Sequence, residues 1–206
     1  MIRVKICGNT RLNDLLYEAK AGAHAVGVVH GFPDSPRNND FESAGRLVRG
    51  VPPLTEAVVV TNPPGIENAV RMGVRTVQLI APPSTYPQIR ESHPELKIIP
   101  VLYVGQDPPK PEVLKEYSEF EYVLVDTDSK LKGGSGLTHN WEVSRMLSKT
   151  FGNIILAGGL NPENVVEAII KVEPYAVDVS SGVERSPGVK DKRLVSRFIE
   201  AVRQVG

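Results

Sequence analysis

Short apolar runs rich in valine and isoleucine recur along the chain, and each is followed by a longer stretch with helical spacing of its apolar residues. The runs predict eight β-strands, at residues 3–6, 25–29, 57–60, 76–80, 98–103, 122–125, 154–156 and 176–179. The stretches predict eight α-helices, at residues 13–21, 41–49, 65–72, 86–92, 111–116, 141–149, 162–171 and 192–205. The seventh helix has a start signal, with Asn161 as its N-cap and Pro162 in its first turn.

The strict alternation of strand and helix indicates an α/β fold. Strands that are apolar throughout are typical of parallel strands covered on both faces. Eight repeats predict a closed (β/α)8 TIM barrel, and an open doubly wound sheet is the alternative. The 206 residues fit one domain and no linker-like segment interrupts them, so we predict a single barrel domain over residues 1–206.

Composition and charge narrow the class of protein. The 24 basic and 24 acidic side chains balance, which argues against a nucleic-acid partner, and no apolar run is long enough for a membrane helix or a signal peptide. A single cysteine makes no internal disulfide, and the four histidines lack the spacing of metal ligands. We therefore expect a cytoplasmic, metal-free protein.

The only cysteine, Cys7, ends the first predicted strand and precedes Gly8. A lone cysteine is more often an inert buried residue, but the carboxyl ends of barrel strands are where active sites form. A thiolate near neutral pH requires a lowered pKa, from a cation or a helix N-terminus. Lys5 points to the same side by the two-residue period of a strand, either as that cation or as a lysine of the barrel core.

An acidic residue, Asp126, stands directly at the end of the sixth predicted strand, after Val125. It is either the acid of a site or the cap of the next turn, whereas Asp128 is better explained as a loop residue. The glycine-rich segment 132–136 follows, as a loop able to close over a ligand or as an ordinary surface loop.

Two glycine-bearing loops follow the seventh and eighth strands, which is the usual phosphate site of this barrel. Glycines let backbone N–H groups approach an anion closely, although each loop alone would also be explained as a turn. The candidate residues are Gly158, Gly159, Ser181 and Gly182.

The loop after the second strand contains His30 and Arg37. An arginine at the mouth of a barrel can grip a carboxylate with two parallel hydrogen bonds, and the alternative is an exposed surface arginine. For His30 we expect a packing role.

Seven motifs are spread from the first predicted strand to the last predicted helix. They are Lys5-Ile6-Cys7-Gly8 with Thr10, Ser35-Pro36-Arg37, Gln78-Leu79, Val125-Asp126 with Gly133-Gly134-Ser135-Gly136, Leu156-Ala157-Gly158-Gly159-Leu160-Asn161-Pro162-Glu163-Asn164-Val165, Val177-Asp178-Val179-Ser180-Ser181-Gly182-Val183-Glu184, and Pro187-Gly188 with Lys190-Asp191. Together these motifs resemble the phosphoribosylanthranilate isomerase family of tryptophan biosynthesis.

The resemblance implies a (β/α)8 barrel and an Amadori rearrangement without a cofactor. The substrate would be the phosphosugar N-(5-phosphoribosyl)anthranilate, and the product 1-(2-carboxyphenylamino)-1-deoxyribulose 5-phosphate. Two segments differ from the family pattern: Ile80-Ala81 stands where histidine and glycine are usual, and 27–37 is about one residue longer, with His30 replacing an aromatic residue.

The resemblance also assigns roles to the candidate residues. Asp126 resembles the general acid that opens the furanose ring, and Cys7 the general base that takes the C2 proton. Arg37 matches the residue that holds the anthranilate carboxylate, and Asp178 a position facing the sugar. Gly159 with Ser181 and Gly182 match phosphate-binding positions.

Two other functions are compatible with the residues alone. Another phosphosugar isomerase or epimerase would keep the phosphate loops without requiring Arg37, and a catalytically silent binder would require neither Cys7 nor Asp126. A homo-oligomer is compatible with the sequence as well.

Overall fold

The computed structural model describes residues 1–128 and 139–205. Its strands are β1 Arg3–Ile6, β2 Ala25–Val29, β3 Glu56–Thr61, β4 Thr76–Leu79, β5 Lys97–Val104, β6 Val123–Thr127, β7 Ile154–Leu156, β8 Ala176–Val179, β9 Glu184–Ser186 and β10 Val189–Lys190. Its α-helices are α1 Leu12–Ala21, α2 Phe41–Arg49, α3 Ile66–Met72, α4 Tyr86–Ser92, α5 Pro111–Lys115, α6 Trp141–Phe151, α7 Val165–Val172 and α8 Lys192–Arg203. Short 3-10 turns occupy Pro63–Gly65, Pro83–Thr85 and Ser181–Val183.

The first eight strands form a closed parallel barrel in sequence order. The barrel closes where β1 pairs with β8, in a register that places Arg3 opposite Ala176 and Ile6 opposite Val179. This confirms the predicted (β/α)8 barrel and excludes the open sheet. An antiparallel hairpin of β9 and β10 follows β8 and was not predicted from the sequence.

Two buried apolar layers stabilise the barrel. The larger lies between strands and helices and includes Val4 and Ile6 of β1, while a smaller cluster of strand residues, among them Val101 and Leu124, fills the interior. Each such side chain contributes roughly 1.5–3 kcal/mol when fully buried. By the two-residue period, Lys5 and Cys7 then point toward the barrel axis.

The observed bounds lie within two residues of the predicted ones except at the start of α7, which begins at Val165 rather than at residue 162. Asn161 caps the turn before the helix, because its Oδ1 accepts the N–H groups of Glu163 and Asn164. The strand β6 runs two residues further than predicted, so Asp126 lies inside it. Among the described residues, no helix is both long and apolar enough to cross a membrane.

Candidate active site

The residues that the sequence singled out gather at the carboxyl end of the barrel strands. Cys7 follows β1, Arg37 lies in the loop after β2, Asp126 lies in β6 and Asp178 in β8. The loops after β7 and β8 contain Gly158, Gly159, Ser181 and Gly182. Because the strands are parallel, all these positions surround one mouth.

The thiol of Cys7 lies in an apolar wall of this mouth. It clusters with Val29 and Val60, and the partly buried side chains of Phe32 and Ile80 pack against the cluster. The thiol therefore meets hydrocarbon on this side.

Gly27 provides the space that the thiol occupies, since a Cβ on Gly27 would stand 2.7 Å from Sγ of Cys7. Burial raises the pKa of the Cys7 thiol, and the opposing charges of Lys5 and Lys190 do not offset it. A resting thiolate requires a lowered pKa, and this environment does not supply one. The charge of Lys5 lowers the pKa of the thiol, as expected, but burial raises it by more. The thiol is therefore protonated at neutral pH.

A buried ion pair lies next to the thiol. Nζ of Lys5 is 2.9 Å from Oδ1 of Asp178, and both side chains are almost fully buried. Burial disfavours the charge of Lys5, yet Asp178 together with Cys7 raises the pKa of the ammonium, which stays charged. The inward direction predicted for Lys5 is confirmed, and the Asp178 carboxylate is held by a protein partner.

Asp126 is fixed on the opposite part of the mouth, three strands from β1 around the closed barrel. Its Oδ1 accepts the N–H of Thr127 at 2.7 Å. Gly158 lies against this pair: a Cβ there would collide with the Thr127 hydroxyl and stand 3.0 Å from Oδ1 of Asp126. The structure thus places Gly158 beside the candidate acid.

A buried histidine that sequence reasoning did not single out supports this end of β6. Nδ1 of His139 is 2.9 Å from the Thr127 hydroxyl, and Nε2 is 2.5 Å from the Ser144 hydroxyl. Burial lowers the pKa of His139 to about 4, so the ring is neutral at physiological pH. A histidine that is neither a metal ligand nor in a strand carries no sequence signal for this role.

The two glycine-bearing loops are interlocked. A Cβ on Gly182 would run into the carbonyl oxygen of Leu160, so only glycine lets the second loop approach the first this closely. Gly159 has a φ of 73°, and its carbonyl accepts a hydrogen bond from the Asn164 side chain. Ser181 begins the 3-10 turn after β8. The two loops thus lie together at the mouth, and the phosphate site expected from the sequence stays a prediction.

Arg37 has a partner that sequence reasoning missed. Its Nε and Nη2 donate to Oε1 and Oε2 of Glu184 at 2.9 and 2.6 Å. The arginine side chain crosses Gly8, where a Cβ would stand 2.5 Å from its Cδ. Arg37 is therefore not the exposed surface residue of the alternative interpretation.

Lys190 completes this group. Its Nζ donates to Oε1 of Glu184 at 3.0 Å, to the carbonyl oxygen of Ser180 at 3.2 Å, and to the carbonyl oxygen of Cys7. The motif that contains Lys190 contributed to the family resemblance, but its pattern gave no indication of this contact.

The remaining expectations concern His30, the segment 132–136 and metals. His30 packs, with Nδ1 2.9 Å from the carbonyl oxygen of Asn39 and Nε2 3.0 Å from the amide nitrogen of Asn68. The segment 132–136 lies outside the described residues. Over residues 1–128 and 139–205, no group of three or more His, Cys, Asp or Glu side chains is arranged to hold a metal ion.

Comparison with known proteins shows one family over nearly the whole chain. The family model described as "N-(5'phosphoribosyl)anthranilate (PRA) isomerase" matches residues 4–201. The N-(5'-phosphoribosyl)anthranilate isomerase of Geobacter metallireducens is 40% identical over 209 residues, covering 98% of this chain and 100% of the relative. That of Methanopyrus kandleri is 39% identical over 218 residues and both chains are covered completely.

Solved structures of phosphoribosyl anthranilate isomerases superpose on this chain over nearly its whole length. Phosphoribosyl anthranilate isomerase from Thermotoga maritima superposes with a TM-score of 0.87 at 37% identity, over 99% of this chain and 100% of the other. A phosphoribosyl anthranilate isomerase in complex with reduced 1-(o-carboxyphenylamino)-1-deoxyribulose 5-phosphate gives 0.83 at 35% identity, with the same coverage. The fold, the isomerase activity and the role in tryptophan biosynthesis expected from the motifs are thereby confirmed. The chain belongs to the family of N-(5'-phosphoribosyl)anthranilate isomerases.

Proposed function

We propose that this isomerase performs its rearrangement at the mouth described above, with Asp126 as general acid and Cys7 as general base. The observation that carries the proposal is the placement of one carboxyl group and one thiol on β6 and beside β1, around a single mouth. An acid and a base on two sides of a sugar are what a ring-opening isomerisation requires.

The steps balance without an external oxidant. Asp126 protonates the ring oxygen, the bond from that oxygen to C1 breaks, and the nitrogen lone pair forms a Schiff base. The Cys7 thiolate takes the C2 proton, and the released electron pair forms the C1–C2 double bond of an enolamine. Tautomerisation protonates C1 and leaves a ketone at C2. Because C1 is reduced as C2 is oxidised, the reaction needs no cofactor.

We assign the two ends of the substrate to two sides of the mouth. The phosphate binds at Gly159 and the 3-10 turn of Ser181 and Gly182, where backbone N–H groups are available. The anthranilate carboxylate binds Arg37, and its ring lies on the apolar wall beside Cys7. Anchoring both anionic ends fixes the sugar between acid and base. For Gly158 the close approach to Asp126 favours a shaping role over direct phosphate contact.

Three substitutions test the catalytic pair. Cys7→Ala and Asp126→Asn are each expected to lower kcat by roughly 10²–10⁴, the usual contribution of a general acid or base. Asp128→Asn, two residues from Asp126, is the matched control and is expected to stay near wild type. The readout is the loss of substrate fluorescence, with circular dichroism to verify folding. Retention of near-wild-type turnover by Cys7→Ala would refute the assignment.

The raised pKa of Cys7 adds a pH signature to the same experiment. Only the thiolate is a base, so kcat/KM of the free enzyme is expected to rise with pH through the neutral range. Because Cys7 is the only thiol, its ultraviolet thiolate absorbance can be titrated directly. A thiolate already fully formed at slightly acidic pH would contradict this.

We also propose that the protein is cytoplasmic and self-associates. A free catalytic thiol suits a reducing compartment, which cell fractionation checks. A relative from Thermotoga maritima is described as dimeric. In this chain Leu54 is fully exposed with a φ of 70°, in the loop before β3 at the amino end of the barrel, and we place the contact there. Light scattering of wild type beside Leu54→Asp tests this, and an unchanged mass would refute the placement.

A further inference from the structure

The guanidinium of Arg37 is already held before any substrate binds. Its two bonds to Glu184 form a bidentate pair, which fixes the plane of the guanidinium as well as its position. The side chain of Glu184 is only 4% exposed, against 23% for Arg37. Glu184 is thus a buried anchor, and Arg37 is the more exposed partner of the pair.

Lys190 holds the same carboxylate, at the oxygen Oε1 that also accepts Nε of Arg37. Its side chain is 1% exposed, and its three N–H bonds go to Glu184 and to the carbonyl oxygens of Ser180 and Cys7. All donors of Lys190 are therefore used within the protein. Burial alone would raise the pKa of Glu184, but Arg37 and Lys190 lower it overall, so the anchor is a carboxylate at neutral pH.

The geometry leaves one edge of the guanidinium available. Arginine has five N–H donors, and Glu184 takes the edge formed by Nε and Nη2. The edge formed by Nη1 and the second hydrogen of Nη2 can still make two parallel bonds to a carboxylate. The stem of Arg37 lies against Gly8, which limits its freedom to turn the other edge outward.

We propose that Glu184, braced by Lys190, is a positioning residue that presents the Nη1–Nη2 edge of Arg37 to the substrate carboxylate. Glu184 thereby sets the preference for an arylamine that carries an ortho carboxylate. The inference rests on the substrate contact proposed for Arg37. A lysine at position 37 could not bind both carboxylates in this way, because it lacks the planar fork.

The test compares two substrates that differ only in the carboxylate. N-(5-phosphoribosyl)anthranilate and N-(5-phosphoribosyl)aniline are prepared from ribose 5-phosphate and the respective amine, and product is followed by chromatography. Glu184→Ala is expected to raise KM for the carboxylated substrate about 10–100-fold, the range for losing a charged, bidentate contact. Its kcat should change less than about threefold, and KM for the aniline compound should stay unchanged.

Two further variants separate positioning from folding. Glu184→Gln keeps the volume and one acceptor oxygen, so it should fold and show a smaller rise in KM. Arg185→Ala, at the exposed neighbouring position, is the matched control and should behave as wild type. If Glu184→Ala does not fold, Glu184→Gln decides alone: equal discrimination between the two substrates by Glu184→Gln and wild type would overturn the inference.

Arg37→Ala separates the proposed role of Arg37 in binding the carboxylate from the positioning role of Glu184. If it discriminates between the two substrates as wild type does, the proposed role of Arg37 is wrong. If Arg37→Ala loses discrimination while both Glu184 variants keep it, only the positioning role of Glu184 is wrong. In the double variant Arg37→Ala with Glu184→Ala, KM should equal that of Arg37→Ala alone, because Glu184 acts through Arg37. Additive effects of the two substitutions on KM would overturn the inference.

Discussion

Glu18, on α1, is a buried carboxyl group that the proposed reaction does not use. It is fully buried, and its Oε2 accepts a hydrogen bond from the Asn9 side chain at 2.9 Å. Its Oε1 and Oδ1 of Asn9 have no hydrogen-bond partner among the described residues. Burial raises the pKa of Glu18 from 4.5 to about 8, although Lys190 and Asn9 act in the opposite direction. Ionised Glu18 is thus disfavoured beneath the loop that carries Cys7.

Glu18→Gln is expected to stabilise the protein increasingly as pH rises. The unfolded chain releases the Glu18 proton near pH 4.5 and the folded chain only near pH 8, so wild-type stability falls between these values. The difference should reach roughly 5 kcal/mol, since the folded and unfolded pKa values differ by about 3.5 and one pKa unit corresponds to about 1.4 kcal/mol. Urea unfolding at several pH values measures it.

The control for Glu18→Gln is Glu200→Gln, at an exposed position of α8, which should show little pH dependence. Below pH 4.5 Glu18→Gln should match wild type more closely than at pH 8. A free-energy difference between Glu18→Gln and wild type that is the same at pH 4 and pH 8 would contradict the burial argument.

At the scale of single residues, the sequence located the residues that end strands and missed those that support them. Cys7 and Asp126 could be identified because an abrupt change from apolar to polar residues marks a strand end. Glu184 and Lys190 could not, since the contacts they make reach Arg37 and Cys7, 147 and 183 residues away. No local pattern encodes such a partner.

At the scale of elements, the turn after β7 has a stricter requirement than its backbone angle alone. Gly158 has a φ of 84° and Gly73, at the end of α3, has a φ of 83°. A Cβ on Gly73 would meet nothing within 4 Å, whereas one on Gly158 would meet Thr127 and Asp126. An alanine at either position would therefore bear the same backbone strain, and only an alanine at position 158 would also make close contacts.

Gly158→Ala is expected to reduce kcat about 10–100-fold, because displacing a catalytic group by about 1 Å can have that effect. Gly73→Ala should lower stability by roughly 1 kcal/mol from left-handed strain and leave kcat unchanged. Steady-state kinetics and thermal unfolding of both variants measure the two effects separately. Equal kcat values for the two variants would show that Gly158 does not position Asp126.

Element bounds followed from periodicity where apolar residues continue to the end of an element. The prediction for β6 stopped at residue 125 because Asp126 and Thr127 are polar, yet their backbone still pairs with Tyr103 and Val104 of β5. Tyr103 consequently lies beside Asp126, half exposed, at a position that the sequence did not mark. The hairpin of β9 and β10 was missed because its polar residues show no alternation.

At the scale of the whole molecule, the site exists only when the barrel is closed. The strand β1 pairs with β2 on one side and with β8 on the other, so Cys7 and Asp178 are neighbours only because β1 pairs with β8. The mouth draws on loops from the first strand to the last helix. The eightfold alternation of strand and helix therefore predicted the fold well. The charged contacts across the seam, which is the pairing of β1 with β8, could not be predicted from the sequence.

We propose from this connectivity that residues 1–206 form one cooperative domain, and two probes that each occur once can test it. Trp141 begins α6 and Cys7 lies at the seam of β1 and β8, and both side chains are buried. In urea, tryptophan fluorescence and reactivity of the thiol with a thiol reagent are expected to change at the same midpoint. If the seam opened separately, Cys7 would react at urea concentrations where Trp141 is still native, and the single-domain proposal would be wrong. A product analogue, which binds only the closed mouth, should raise both midpoints equally, because it stabilises the native state by RT ln(1 + [L]/Kd).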